Sequence, residues 1–168
     1  MNAIETEKHT KYSLELIFNE ADKMSTDLLG SISENVNKSF ILLAIYFSVL
    51  SFSFFKIIEN YNFLYSILII GTLLGCYVLR KNIFPNTICL KGALPEIMLQ
   101  DYFSSFTEED LDKEYLATQI ESYNYAMIEN KKTIEKMVIR FKKSIYIVLF
   151  SFFLFGFISA LFLFTECL

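Results

Sequence analysis

The chain has 168 residues, enough for one ordinary soluble domain. However, 54% of them are hydrophobic, 18 are Phe, and the mean hydropathy of +0.40 exceeds what a domain of that size hides within itself. The formal net charge of -4 comes from acidic and basic side chains mixed along the same segments, so it says little about nucleic acid as a partner. His9 is the sole histidine, Cys76, Cys89 and Cys167 stand at no metal or redox spacing, and no glycine loop for phosphate is present. The chain is therefore read as a non-enzyme with no metal and no cofactor.

Residues 1–38 form the first predicted element, an amphipathic helix. Leu14, Ile17, Ala21, Met24 and Leu28 share one face, and Gly30 with the stretch SISENVNKS is expected to loosen the helix just before the first apolar run. Residues 39–79 read as a transmembrane hairpin. Its two uncharged runs, 39–55 and 63–79, have 17 residues each, the short end of what spans a hydrocarbon core of ~30 Å. The first run lies behind 38 mostly polar residues and has no small-residue cleavage site after it, so it is not read as a signal peptide.

Residues 80–106 form an elbow around Pro85, Gly92 and Pro95, with an interfacial helix expected over 96–106 carrying Met98, Leu99, Tyr102, Phe103 and Phe106. Thr107, followed by Glu108, Glu109 and Asp110, marks the N-cap of a long helix over 107–164. Within it Leu116, Ile120, Tyr123, Met127, Asn130, Ile134, Met137 and Phe141 recur at steps of four and three, a heptad seam. No helix breaker separates this seam from the uncharged run 144–164, a third span of 21 residues. Residues 165–168 remain as a short external tail.

Orientation is set by the cations. Four lysines precede the first span, Lys56 alone lies in the hairpin turn, and residues 80–143 hold ten of the 15 basic residues. The positive-inside rule then places the N-terminus and the 80–143 segment in the cytoplasm. The expected fold is an all-α membrane protein with three transmembrane helices and a long cytoplasmic helical stalk.

Within the spans, Gly71 and Gly75 share a face of the second, and Gly156 and Ala160 a face of the third, a spacing that lets helix backbones approach. Ala44, Ser48 and Ser51 form a stripe on the first span, flanked by Ile41 and Phe55. The serines either bond back to their own helix or line a weakly polar pore that these apolar residues close by dewetting. No Asp, Glu, Lys, Arg or His lies in any span, which argues against a proton pump, an ion-coupled transporter or a voltage sensor. The seam residues Leu116, Ile120, Met127, Ile134, Met137 and Phe141 are expected to pack within and between subunits of a homo-oligomer, with a tetramer as the leading stoichiometry.

The segments KSFILLAIYFSVLSF and DKEYLATQIESYNYAMIENKKTIEKMVIRFKKSIYIVLFSFFLFGFI, with a QI-x(10)-K pattern at Gln119, Ile120 and Lys131 in a polar helix that leads straight into an apolar run, resemble a known group. They are similar to the small transmembrane effectors of bacterial anti-phage nucleotide-signalling systems, the Pycsar transmembrane effectors and the Hailong channel subunit. The resemblance implies an inner-membrane protein that oligomerises or opens when a nucleotide second messenger is made, with that messenger or a nucleotidyltransferase as partner alongside membrane lipid. For a nucleotide bound directly, Tyr123, Tyr125, Asn130, Lys131 and Lys132 supply aromatic faces, a polar group and cations, while Arg140, Lys142 and Lys143 either join them or hold topology. The alternative function is a membrane anchor or scaffold that recruits a cytoplasmic partner through the stalk.

Overall fold

The computed structural model describes residues 4–84, 88–93 and 95–166, which contain helices and short connections and no strand. Pro85 of the predicted elbow, and Cys167 and Leu168 of the predicted tail, lie outside the described residues. The helices are α1 (Lys11–Asn60), α2 (Ser66–Ile83), the single turn α3 (Pro95–Met98) and α4 (Glu108–Glu166). Three segments, Lys11–Asn60, Phe63–Ile83 and Glu108–Leu163, are long and apolar enough to cross a membrane.

Helix α1 starts where Thr10 acts as its N-cap. The threonine hydroxyl accepts the Ser13 N–H at 3.2 Å and its carbonyl accepts the Leu14 N–H at 3.1 Å. The loosening expected at Gly30 does not occur, and the helix runs unbroken through it. One glycine costs about 1 kcal/mol against alanine, too little to stop a helix of 50 residues held by tertiary packing. Its hydroxyl residues also turn inward on the helix: Thr26, Ser31 and Ser39 donate to the carbonyls of Asp22, Asp27 and Asn35, four residues back. Tyr61, at φ 49°, ends α1, and the Asn62 side chain caps the next turn by accepting the Leu64 N–H at 3.0 Å.

The interfacial helix expected over 96–106 is instead two short pieces, α3 and a 3₁₀ turn over Asp101–Ser105. Helix α4 begins where the sequence places it. The Thr107 carbonyl accepts the Leu111 N–H at 2.8 Å, and the Thr107 hydroxyl donates to the Asp110 carboxylate at 2.6 Å.

The chain folds as two compact units, Met1–Ile32 with Thr87–Thr133, here the polar unit, and Ser33–Asn86 with Ile134–Leu168, here the apolar unit. Both α1 and α4 contribute to each. In the polar unit the covered positions of α1 are Leu14, Phe18, Ala21, Ser25, Leu28 and Ile32, at steps of four and three. In the apolar unit the same phase continues through Asn35, Ser39, Leu42, Tyr46, Val49 and Ser53. The α4 seam likewise does not stop at Phe141, because Ser144, Val148, Ser151 and Phe155 carry it on, and α2 presents Leu68, Thr72, Gly75, Leu79 and Asn82. None of these positions is exposed. A 3.5-residue period on each helix is the signature of coiled-coil packing, and each unit buries such a stripe against itself.

Candidate functional site

In the polar unit, the segment from Ile88 to Ala93 is strapped to α1 and α4 by side chains. The Asn130 carboxamide accepts the Cys89 N–H at 3.0 Å and donates to the Cys89 carbonyl at 2.9 Å. The Ser122 hydroxyl donates to the Gly92 carbonyl at 2.9 Å, and Gly92 holds φ at 80°, a backbone region that suits glycine. The Lys91 ammonium bonds Asp22 at 2.9 Å and also the Thr26 hydroxyl, while the Tyr123 hydroxyl donates to the same Asp22 oxygen at 3.0 Å. The bonds from Lys91 and Tyr123 hold the Asp22 carboxyl below its ordinary value. Burial, and then the neighbouring Asp22, push the Tyr123 phenol up.

These bonds change the reading of the expected signal site. Asn130 is fully buried and Tyr123 is 6% exposed, edge-on to the Phe18 ring at 5.5 Å, so both are occupied inside the unit. Tyr125 is exposed, since residues two apart on a helix point in nearly opposite directions. Lys131 is exposed, and Lys132 pairs with Glu129 at 2.6 Å. The five residues thus fan around α4 rather than converge.

What the polar unit does offer is an apolar groove. Its first stretch, about 600 Å³, is lined by Leu16, Ile17 and Met24 of α1 and by Ile120 and Met127 of α4, with Glu20, Glu121 and Asn124 among its polar groups. A second stretch of about 490 Å³ shares Met24, Asn124 and Met127 and adds Asp27, Leu28, Ile128 and Lys131. Methionines adapt to irregular shapes, and the three carboxylates favour a cationic or neutral occupant over a phosphate. Individual lining residues such as Met24 were legible as one face of the first helix. That the face opens beside Met127 was not.

The seam expected to pack within and between subunits is covered in part inside the single chain. Ile120 is 8% exposed and Met137 fully buried, while Leu116, Met127, Ile134 and Phe141 are half-buried. At Ile120 and Met137 the packing within subunits is thus seen directly, because the chain itself covers those positions.

The apolar unit is packed through small and polar side chains. A Cβ at Gly71 would overlap Ser151, and a Cβ at Gly75 would lie 2.7 Å from Val148 Cγ2 and 3.1 Å from Tyr46 Cε2. The Ser144 hydroxyl donates to the Gly75 carbonyl at 2.9 Å and lies 3.0 Å from the Tyr46 phenol oxygen. Asn82 donates to the Met137 carbonyl at 2.8 Å and more weakly to the Ser39 hydroxyl at 3.4 Å. Tyr46, Leu79 and Val148 form the centre, with Leu42, Leu43, Cys76 and Phe141 against it. Close approach and hydrogen bonding, not the hydrophobic effect, drive such association in lipid. Gly71 and Gly75 thus sit at a helix contact as their spacing predicts. Gly156 does not: it and Ala160 are exposed, and a Cβ at Gly156 would meet nothing within 4 Å.

The stripe expected to line a pore faces outward from the single chain. Ile41 is 64% and Phe55 60% exposed, and Ala44, Ser48 and Ser51 lie between them on the same open face. The Ser48 hydroxyl bonds back to the Ala44 carbonyl at 3.0 Å, which satisfies it without water. The chain matches no family model, no curated protein and no solved structure.

Proposed function

We propose that the protein is a homo-oligomeric channel or membrane-disrupting effector of the bacterial inner membrane, gated from its polar unit by a nucleotide-derived signal in anti-phage defence. The observation that carries this reading is the outward stripe Ala44, Ser48 and Ser51 between Ile41 and Phe55. It lies on a helix whose N-terminal part, through Ile17 and Met24, also lines the groove of the polar unit. Copies arranged with that stripe toward a common axis, a tetramer first among the arrangements, would line a narrow conduit with small and hydroxyl side chains. With no charged ring along it, the conduit selects poorly among ions. The ten Lys and Arg residues at 80–143, against Lys56 alone in the hairpin turn, support a cytoplasmic position for the polar unit by the positive-inside rule. Because its carboxylates disfavour phosphate in the groove, the signal is delivered by a partner or at another surface of the unit.

Membrane potential in cells expressing the chain with its signalling enzyme tests the proposal. A collapse that requires the signal, and that Ser48→Leu abolishes without changing particle size in detergent, supports a channel. The carboxylate-rimmed groove favours the second reading, an anchor that recruits a cationic helical partner. An intact potential in the presence of a captured partner is its expected outcome.

A further inference from the structure

The cations of this chain are neutralised very unevenly. In the polar unit Lys8, Lys11, Lys91, Lys113 and Lys132 each meet a carboxylate, and Lys23 and Lys131 meet none among the described residues. In the apolar unit Lys38 and Lys56 pair with glutamates of their own helix. By contrast Arg80, Lys81, Lys136, Arg140, Lys142 and Lys143 make no ion pair among the described residues, although all belong to the apolar unit.

Their placement is specific. Arg80 and Lys81 come directly after the uncharged run that ends at Leu79, and Lys143 directly precedes the one that begins at Ser144. The Arg140 guanidinium reaches the Lys81 carbonyl at 3.5 Å, which brings the end of α2 beside α4. Lys136, Arg140 and Lys143 stand at steps of four and three, so they form one flank of α4, the flank on which Arg140 meets α2. Lys142 and Glu135 fall on the other side of the helix. Arg80 lies 4.2 Å from the centre of the Tyr77 ring, an exposed aromatic of the kind that sits at headgroup depth.

We infer that Lys81, Lys136, Arg140 and Lys143 form a binding site for the phosphodiester of an anionic phospholipid, between the end of α2 and the flank of α4. The missing negative charge lies at the border of segments apolar enough to occupy hydrocarbon, where lipid phosphates are and carboxylates of the chain are not. Arg140 supplies a planar fork for two phosphate oxygens, and the lysines supply mobile point charges around it. A free phosphate has the same headgroup chemistry but no acyl chains to lie along the exposed Tyr77 and Tyr146, so the lipid is the occupant.

Native mass spectrometry of the full chain in neutral detergent, titrated with phosphatidylglycerol or phosphatidylcholine, measures this. Phosphatidylglycerol should bind more tightly by several hundredfold, at roughly fivefold for each of the four cations. Lys136→Gln with Arg140→Gln and Lys143→Gln should reduce the preference on the order of a hundredfold and leave only the roughly fivefold share of Lys81. Lys142→Gln should keep most of it. Lys136→Arg with Lys143→Arg retains the charge and must retain the preference, which decides the matter if the triple variant fails to fold. Equal binding of the two lipids by the native chain would overturn the inference, as would a loss with Lys142→Gln as large as with the triple variant. Competition by inorganic phosphate at the lipid's own concentration would assign the site to a soluble anion instead.

Discussion

Asn130 and Cys89 are joined by a reciprocal pair of hydrogen bonds, the carboxamide of one taking both backbone groups of the other at 3.0 and 2.9 Å. The pair is an amide matched to an amide, so no isosteric apolar residue can replace it. Asn130→Leu fits the buried volume but leaves the Cys89 N–H and C=O without partners, at about 1–3 kcal/mol for each group that water does not reach. Thermal unfolding should fall accordingly, and amide exchange over residues 88–93 should rise more than elsewhere. Unchanged exchange there would show that Ser122 and Lys91 hold the strap by themselves.

Asp22 makes the same strap sensitive to acid. Its carboxyl is held below the ordinary 3.8 first by the hydrogen bond from Lys91 and then by that from Tyr123. A group depressed on folding contributes stability above its unfolded value and loses it as the pH falls through the lower folded value. The difference in stability between the native chain and Asp22→Asn should therefore be constant near neutrality and shrink below about pH 4. Tyr123 behaves oppositely, its phenol raised above the ordinary 10.0, so its contribution fades only as the pH climbs through the raised value. A difference that stays flat down to about pH 2 would remove Asp22 from the account.

Gly71 and Ser151 occupy one space. Gly71→Ala drives a methyl into Ser151 and should cost about 1–3 kcal/mol in unfolding by sodium dodecyl sulfate. Ser151→Gly should recover most of that loss, a coupling that a double-mutant cycle reads directly. Gly156→Ala, with nothing within 4 Å of the new carbon, should be neutral or slightly stabilising. Equal effects of the two glycine substitutions would contradict the packing.

Ile120→Asp and Met137→Asp place a carboxylate where the chain covers its own seam, at 8% and 0% exposure. The expected result is a loss of helical signal and of folded monomer, at several kcal/mol, not the clean dissociation of an intact subunit. Far-ultraviolet dichroism alongside particle size separates the two, since a well-folded, smaller particle would return these residues to an interface between copies.

Much of the fold was legible in the sequence because it depends on period alone. The phase of Leu116 to Phe141 marked the covered face of α4, and Gly71 and Gly75 marked the closely packed face of α2. The continuation of the seam through Ser144 and Ser151 was hidden because a hydroxyl in an apolar run carries no hydrophobic signal, yet these residues fit where glycine leaves room. Asn130 was legible as a polar break in a seam, but its partner is a backbone 41 residues away in an irregular segment, and no local pattern encodes that pairing. Ser48 illustrates the opposite case: its bond to the Ala44 carbonyl is a local alternative that the four-residue spacing already offered. The scatter of Tyr123, Tyr125, Asn130, Lys131 and Lys132 comes from the turn of about 100° per residue, which separates side chains that stand close together in the written sequence.

The pairing of Gly75 with Ser144 also orders events at the ribosome. The two residues lie 69 positions apart, so α2 leaves the exit tunnel well before the segment of α4 that accepts its close-packed face has been made. Of the three spans, α2 is the least apolar and the one most enclosed by its neighbours, with Thr72 and Asn82 on the enclosed side. Until synthesis reaches Ser151, that side has only α1 to shield it from acyl chains. Nascent α2 is thus the step at which an insertase would be needed most, and a chain truncated before Met137 would leave Asn82, at the end of α2, without its carbonyl partner.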